Sequence, residues 1–532
     1  MDGPSTNWNV LDLIDNERAA GNLPRTINIG SCSLHILHGA FQTGFTNVEW
    51  LISVILRAMF KLFDESPARR DIYLNQGSSE LFPLKFSATR WIEDKPVAER
   101  ALEVWSSVTA TIKHWKSLCK SSQPKNRSYE TLLEHHKNRL IPARFAFFSF
   151  IAGILKPFLV IFQSDNPLVP FLYDELSQIV YRLVRLVYKQ SKLEDTAQLS
   201  EIMNKEFLMN PENQLEEYLV DIGSATKDLL ASINTANEKK RRFRGDCKNV
   251  VINILLKLTE RLPTNKLLVV TAASLSPNNM AKSPDQSQKR FKSMADNLFS
   301  LKFITSPEAD NAKFQFDEFM SNEVLRNKDK FLEFNFKDDR VDEFLYKYVG
   351  ANKDYVALWK VMKLVFILSH GQSYTERGFS VNKLTTDVNM ESESLIAQRF
   401  IYDAMKNANA DASTFPITNE MKQSCKKARM RSVAARENKK KDSVTEERNR
   451  KRTLKKEEVE GIKKKKLDVT ETINTLKKSL YEEAILSAQR NGKEHATKAA
   501  SFAKSLKEKE SLYDDLCGIQ EKLENEYKAL LQ

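Results

Sequence analysis

At 532 residues, 41% of them hydrophobic, the chain is long enough for two or three domains and can bury a sizeable core. Only 15 glycines and 16 prolines punctuate it, while phenylalanine reaches 30, a balance that favours helices over many short strands. The formal charge of +12 sits in one place: residues 421–470 hold 19 Lys and Arg against 8 Asp and Glu, which leaves the remainder close to neutral.

A basic surplus confined to one segment points to phosphate or another acidic surface. The five cysteines, Cys32, Cys119, Cys247, Cys425 and Cys517, are scattered, with no CxxC pair and no zinc-finger spacing to the histidines. That pattern suggests reduced thiols in the cytosol or nucleus. The opening Met1-Asp2-Gly3-Pro4 does not read as a signal peptide. The most apolar run, residues 145–162, is interrupted by Lys156 and Pro157, so no membrane span is expected.

In chain order, residues 5–20 predict a short amphipathic helix with Val10, Leu11 and Ile14 on one face, broken at residues 21–24. Residues 26–30 alternate apolar and polar and read as a short strand. A helical stretch follows over 33–63. Residues 97–262 are helix-like almost throughout, with Leu172, Leu176, Ile179, Val180 and Leu183 at helical spacing. A polar loop is expected over 276–288. Helical periodicity returns over 340–372, then in a shorter helix near 374–382 and another over 391–406.

Past Pro416 aromatics nearly vanish and Lys, Arg, Glu and Ala take over. Residues 421–470 read as solvated, either disordered or a single exposed helix. Leu512, Leu516, Ile519, Leu523, Tyr527 and Leu530 then form a heptad seam, with a weaker one at Ile473, Leu476 and Leu480. Such a seam favours self-association or a partner helix, and packing back on the chain itself is the alternative.

Three short clusters carry candidate chemistry. Cys32-Ser33-Leu34-His35 follows the expected strand. Thr89-Arg90-Trp91 pairs a guanidinium with an indole, which can stack on a base or hold a phosphate. Glu376-Arg377, with Phe379-Ser380, opens a helix, where a carboxylate is also stabilised simply by the helix dipole. Each alone is as well explained by packing or capping.

Their order and separations, together with Asp2-Gly3-Pro4-Ser5 and Asn7, resemble the hAT superfamily of DNA transposases, particularly its domesticated relatives, from Asp2 to about Met405. The resemblance implies a ribonuclease H-like core split by a large helical insertion. It also implies three carboxylates holding two divalent ions, magnesium or manganese, for phosphodiester chemistry. Asp2 matches the second catalytic aspartate and Glu376 the final glutamate. Cys32 and His35 match an active-site support motif. Trp91 matches a residue that stacks on a displaced base, with Arg90 beside it. The first aspartate and the opening strands belong upstream of residue 2, and the N-terminal zinc-binding domain has no counterpart here.

The expected fold class is therefore α/β but predominantly helical: an incomplete ribonuclease H-like core with an all-α insertion and a C-terminal coiled-coil extension. Its parts are 1–96 (first part of the core), 97–339 (insertion), 340–415 (last part of the core with dimerisation helices), 416–470 (basic linker) and 471–532 (coiled coil). Lys239, Lys240, Arg241 and Arg242, inside the insertion, are candidate nucleic-acid contacts alongside Arg90 and Trp91. Lys426 and Lys427 with Lys439, Lys440 and Lys441 resemble a two-part nuclear import signal, and 463–466 is a second candidate. The expected function is a transposon-derived nuclear protein, associated with nucleic acid (DNA in the first place), catalytically inactive, without cofactor, and dimeric or paired with another helix. An active transposase using Mg2+ or Mn2+ at Asp2 and Glu376, given an upstream portion, is one alternative. A structural coiled-coil interaction protein is the other.

Overall fold

A computed structural model describes residues 5–531, apart from 78, 197, 388, 389 and 491. The chain divides into two compact units, Met1–Met390 and Glu391–Gln532. Among the described residues both are helical, with a single isolated bridge, Tyr188 to Gln214, and no strand.

The expected strand at 26–30 is thus corrected. The segment runs irregularly, and side chains satisfy its backbone. The Thr26 amide and hydroxyl both donate to Asp15 Oδ1 at 2.8 Å, and the Gly30 amide donates to Asn28 Oδ1 at 2.9 Å. Alternation creates a strand only where a neighbour offers a ladder. Ile27 and Ile29 instead lean on the helical core. The α/β expectation fails with it, and the predominantly helical part stands. The Ser5–Ala20 helix forms, yet Val10 and Ile14 are exposed rather than buried. The expected loop at 276–288 is two helices, Pro277–Lys282 and Pro284–Ser300. In each, proline occupies the first position, where its missing N–H costs nothing and its fixed φ suits a helix.

The Ile141–Phe162 helix is apolar on nearly every side, which marks a core helix in a folded body. It is long and apolar enough to cross a membrane, but 61% of its most apolar stretch is buried within this unit. It packs on the Lys95–Ser117 and Ser33–Thr46 helices. Phe148 sits at the junction, its ring 4.8 Å from Phe41 and 5.0 Å from Phe45. The later part of the unit stacks Pro284–Ser300, Ser306–Phe319 and Val356–Phe366 in sequence, with Phe291 and Phe316 face to face at 4.0 Å.

The Ser33–Thr46 helix also crosses the Asn237–Arg261 helix closely. Gly44 makes that approach possible: a Cβ there would lie 2.5 Å from Ile254 Cγ1 and 2.7 Å from the Val250 carbonyl oxygen. Because one obstacle is backbone, the helices would have to separate. Gly44→Ala is expected to cost about 1–3 kcal/mol, the usual range for overpacking. A urea midpoint unchanged from wild type would show that the crossing is looser than this.

In the second unit the Ser392–Asn407 and Asn419–Lys426 helices precede two long ones, Ala428–Arg490 and Lys493–Leu531. The long helices run antiparallel as a hairpin. Lys455 meets Glu526 at 2.9 Å, Lys463 meets Glu524 at 3.2 Å, Lys477 meets Glu510 at 3.1 Å, and Glu483 meets His495 at 2.7 Å. The two heptad seams face each other, with Ile473 and Leu516 both 8% exposed. The seam therefore has a partner helix within its own chain, while Leu512 and Ile519 stay exposed.

Candidate functional site

Four of the residues singled out in the sequence come together in the first unit. Cys32 precedes the Ser33–Thr46 helix and His35 lies in its first turn. Arg90 enters the Trp91–Asp94 turn, and Glu376 lies in the first turn of the Ser373–Thr385 helix. The Glu376 carboxylate accepts from Arg90 Nη2 at 2.9 Å, and its other oxygen lies 3.4 Å from His35 Nε2. Arg90 also reaches Glu93 at 3.8 Å. The next residue, Arg377, anchors the same helix by donating to the Gln163 carbonyl at 2.8 Å and pairing with Asp165.

Behind the ion pair lies a buried layer. Burial pushes the Cys32 thiol upward, but hydrogen bonds from the His35 ring and from the His35 and Gln372 backbone outweigh it, leaving the thiol below its ordinary value. His38 is buried and accepts from the Ile92 amide at 3.3 Å. Burial lowers its pKa to about 4, assisted by the nearby His35 and Arg90 charges. Asp94, 3% exposed, accepts from the Ser87 amide at 2.8 Å, while its second oxygen has no hydrogen-bond partner. Burial raises its pKa to about 7.

The remaining candidates lie apart from this cluster. Trp91 is 3% exposed, its indole donating to the Ala88 carbonyl at 3.1 Å and its ring set edge-on to Phe86, so it presents no face to a base in this conformation. Lys239, Lys240, Arg241 and Arg242 are on the first two turns of the Asn237–Arg261 helix. Arg241 pairs with Glu217 at 3.6 Å, and Lys240 donates to the Ala231 carbonyl. Asp2 lies outside the described residues.

The divalent metal implied by the resemblance can be tested against these side chains. Among the described residues no group of three His, Cys, Asp or Glu side chains could hold an ion. Glu376 already faces a guanidinium, which neutralises the charge a cation would need. The described residues do not fit a two-metal centre.

Lys426, Lys427, Lys439, Lys440 and Lys441, expected from sequence to form an import signal, fall in the most exposed part of the second unit. Residues 421–451 are all exposed. Within the Ala428–Arg490 helix, the first residue joined to the end of the returning helix is Arg452, which donates to the Leu530 and Leu531 carbonyls at 2.7 and 3.2 Å. Residues 428–451 form the exposed first part of that helix, roughly 36 Å long at 1.5 Å per residue, with Arg431 donating to the Ser424 carbonyl of the short helix before it at 2.8 Å. Nine Lys and Arg against four Asp and Glu occupy it, with no aromatic residue. No family model, no curated protein and no solved structure matches the chain.

Proposed function

We propose that this protein binds nucleic acid, duplex DNA in the first place, by laying the basic helix at 428–451 against the phosphate backbone. The observation that carries this reading is a long helical segment, 428–451, exposed at every residue and carrying surplus cations. Exposed cations held at helical spacing and outnumbering the nearby carboxylates can displace the counterions of a duplex, and a basic helix continuing from a helical pairing element is a recurrent way to present them. Its charges point all round the axis, which suits backbone contact better than the reading of one base sequence. The same exposed lysines suit nuclear import, and a nuclear location is part of the proposal.

The reading extends to origin. We infer a transposon-derived chain related to the hAT superfamily, with a ribonuclease H-like ancestry, catalytically inactive. What supports it is the meeting of Cys32, His35, Arg90 and Glu376 from three separated motifs. The Arg90–Glu376 pair supports inactivity, since the one carboxylate of the set that is described here is engaged by a cationic side chain. The exposed Leu512 and Ile519 favour a second reading, a helical interaction protein in which the hairpin receives a further helix. Mixing the full chain with duplex and hairpin DNA in manganese separates these. The expected result is binding that weakens with salt, and no cleavage. Cleavage abolished by Glu376→Gln would overturn the inactive reading, and absence of binding would favour the interaction protein.

A further inference from the structure

A second basic feature lies in the first unit, far along the chain from the basic helix at 428–451. Residues 47–50, 137–140, 234–235 and 239–249 meet around a cleft of about 850 Å³. Five cations line it: Lys137, Arg139, Arg144, Lys239 and Arg242. Two carboxylates share the wall, Glu49 and Asp246, and Asp246 is taken up by the Trp50 indole at 2.9 Å. Among the described residues none of the five cations has a carboxylate within ion-pair distance; Arg139 donates only to the Asn234 carbonyl.

Two of these cations stand where helix electrostatics disfavours them. Arg144 is in the first turn of the Ile141–Phe162 helix and Lys239 in the first turn of the Asn237–Arg261 helix. Helix N-termini carry partial positive charge and free N–H donors, so they attract anions and repel cations. Glu238 shares the second of those turns but does not line the cleft. Arg144 is held over the Trp50 ring at 5.5 Å and reaches the Trp50 carbonyl at 3.4 Å, which leaves its buried Nε without a hydrogen-bond partner. Trp50 in turn lies stacked on Phe243 at 5.1 Å, which fixes the back wall. Two cationic helix starts, an orphaned guanidinium N–H and a rigid aromatic floor form a constellation that an anion would complete.

We propose that this cleft binds a phosphate group, either on a free polyphosphate or on a nucleic-acid backbone. Phosphate suits the array because its oxygens accept from a guanidinium fork and from several cations at once. The inference does not depend on the basic helix at 428–451 and would stand if that helix bound nothing.

Calorimetric titration of the full chain with inorganic pyrophosphate tests it, in wild type and in Lys239→Gln/Arg242→Gln. Both substituted side chains are exposed, so the fold should survive, and an unchanged Tm would verify this. The expected result is saturable binding that the double variant weakens at least tenfold. A variant neutralised at Lys439, Lys440, Lys441, Arg448 and Arg450 should keep that binding in full. Failure of pyrophosphate to bind, or binding indifferent to the cleft variant, overturns the proposal. A short DNA duplex added to the helix-neutralised protein identifies the source. Displacement of pyrophosphate assigns the cleft to backbone phosphate, and continued pyrophosphate binding without displacement assigns it to a free polyphosphate.

Discussion

Replacing Lys439, Lys440, Lys441, Arg448 and Arg450 with Gln in the full chain is expected to weaken duplex binding about a hundredfold or more near 0.1 M salt. Each cation that neutralises a phosphate releases counterions, contributing roughly 0.9 to the slope of log K against log salt. Losing five should flatten that slope by roughly 2 to 4, allowing for side chains that face away. The fold should tolerate the change. All five side chains are exposed, glutamine is a good helix former, and the ion pair lost among the described residues, Lys439 with Glu391 at 3.3 Å, is a solvated one of little worth. Lys463→Gln/Lys466→Gln is the control. Those lysines meet Glu524 and Gln520 inside the hairpin, so removing them should affect DNA binding far less. Equal losses in the two variants, measured by fluorescence anisotropy, would mean that net charge matters and the exposed helical segment does not.

Asp94→Asn is expected to become progressively more stable than wild type as pH rises from 4 to 7. The folded pKa of Asp94, about 7, lies above its ordinary 3.8, so the native state binds more protons than the unfolded state between those values. Its contribution is present in full below about 4, falls as pH rises through the window, and is gone above about 7. Three pH units correspond to at most about 4 kcal/mol. His38 tilts the other way. Its folded pKa, about 4, lies below its ordinary 6.5, so its contribution is present above 6.5 and lost as pH falls toward 4. Both residues brace the Trp91–Asp94 turn, and their slopes nearly cancel between pH 4 and 6.5. Asp94→Asn should therefore leave the rising His38 slope uncovered, so that the variant gains on wild type as pH rises through this range. Urea unfolding at pH 5, 6, 7 and 8 reads this directly, and parallel pH profiles for the two proteins would remove Asp94 from the account.

The cluster around Glu376 was legible in the sequence because its parts are short and ordered, although only folding brings Arg90 and His35 to the carboxylate. The strand at 26–30 misled because alternation reports which side chains can be buried, and says nothing of whether a neighbour will pair. The helix starts at Pro277 and Pro284 were written in the sequence, yet the polar residues around them argued for a loop. The seam at Leu516 was visible as a period, but a period does not name its partner, and the partner is the helix carrying Ile473. The cleft was only half legible: Lys239 and Arg242 belong to a basic run visible in the sequence, but nothing there ties them to the other three cations. Lys137, Arg139 and Arg144 are about a hundred residues from Lys239, and each looks like an ordinary surface charge in its own segment.

Phosphate-backbone binding by the basic helix at 428–451 is best read from the salt dependence of duplex binding in the unmodified full chain. Anisotropy of a labelled duplex would be followed from about 0.05 to 0.2 M salt, where several phosphate contacts produce a steep, linear fall of log K. The expected slope is roughly −4 to −8, set by the nine cations of residues 428–451. A slope near zero, or no measurable binding at the lowest salt, would contradict it.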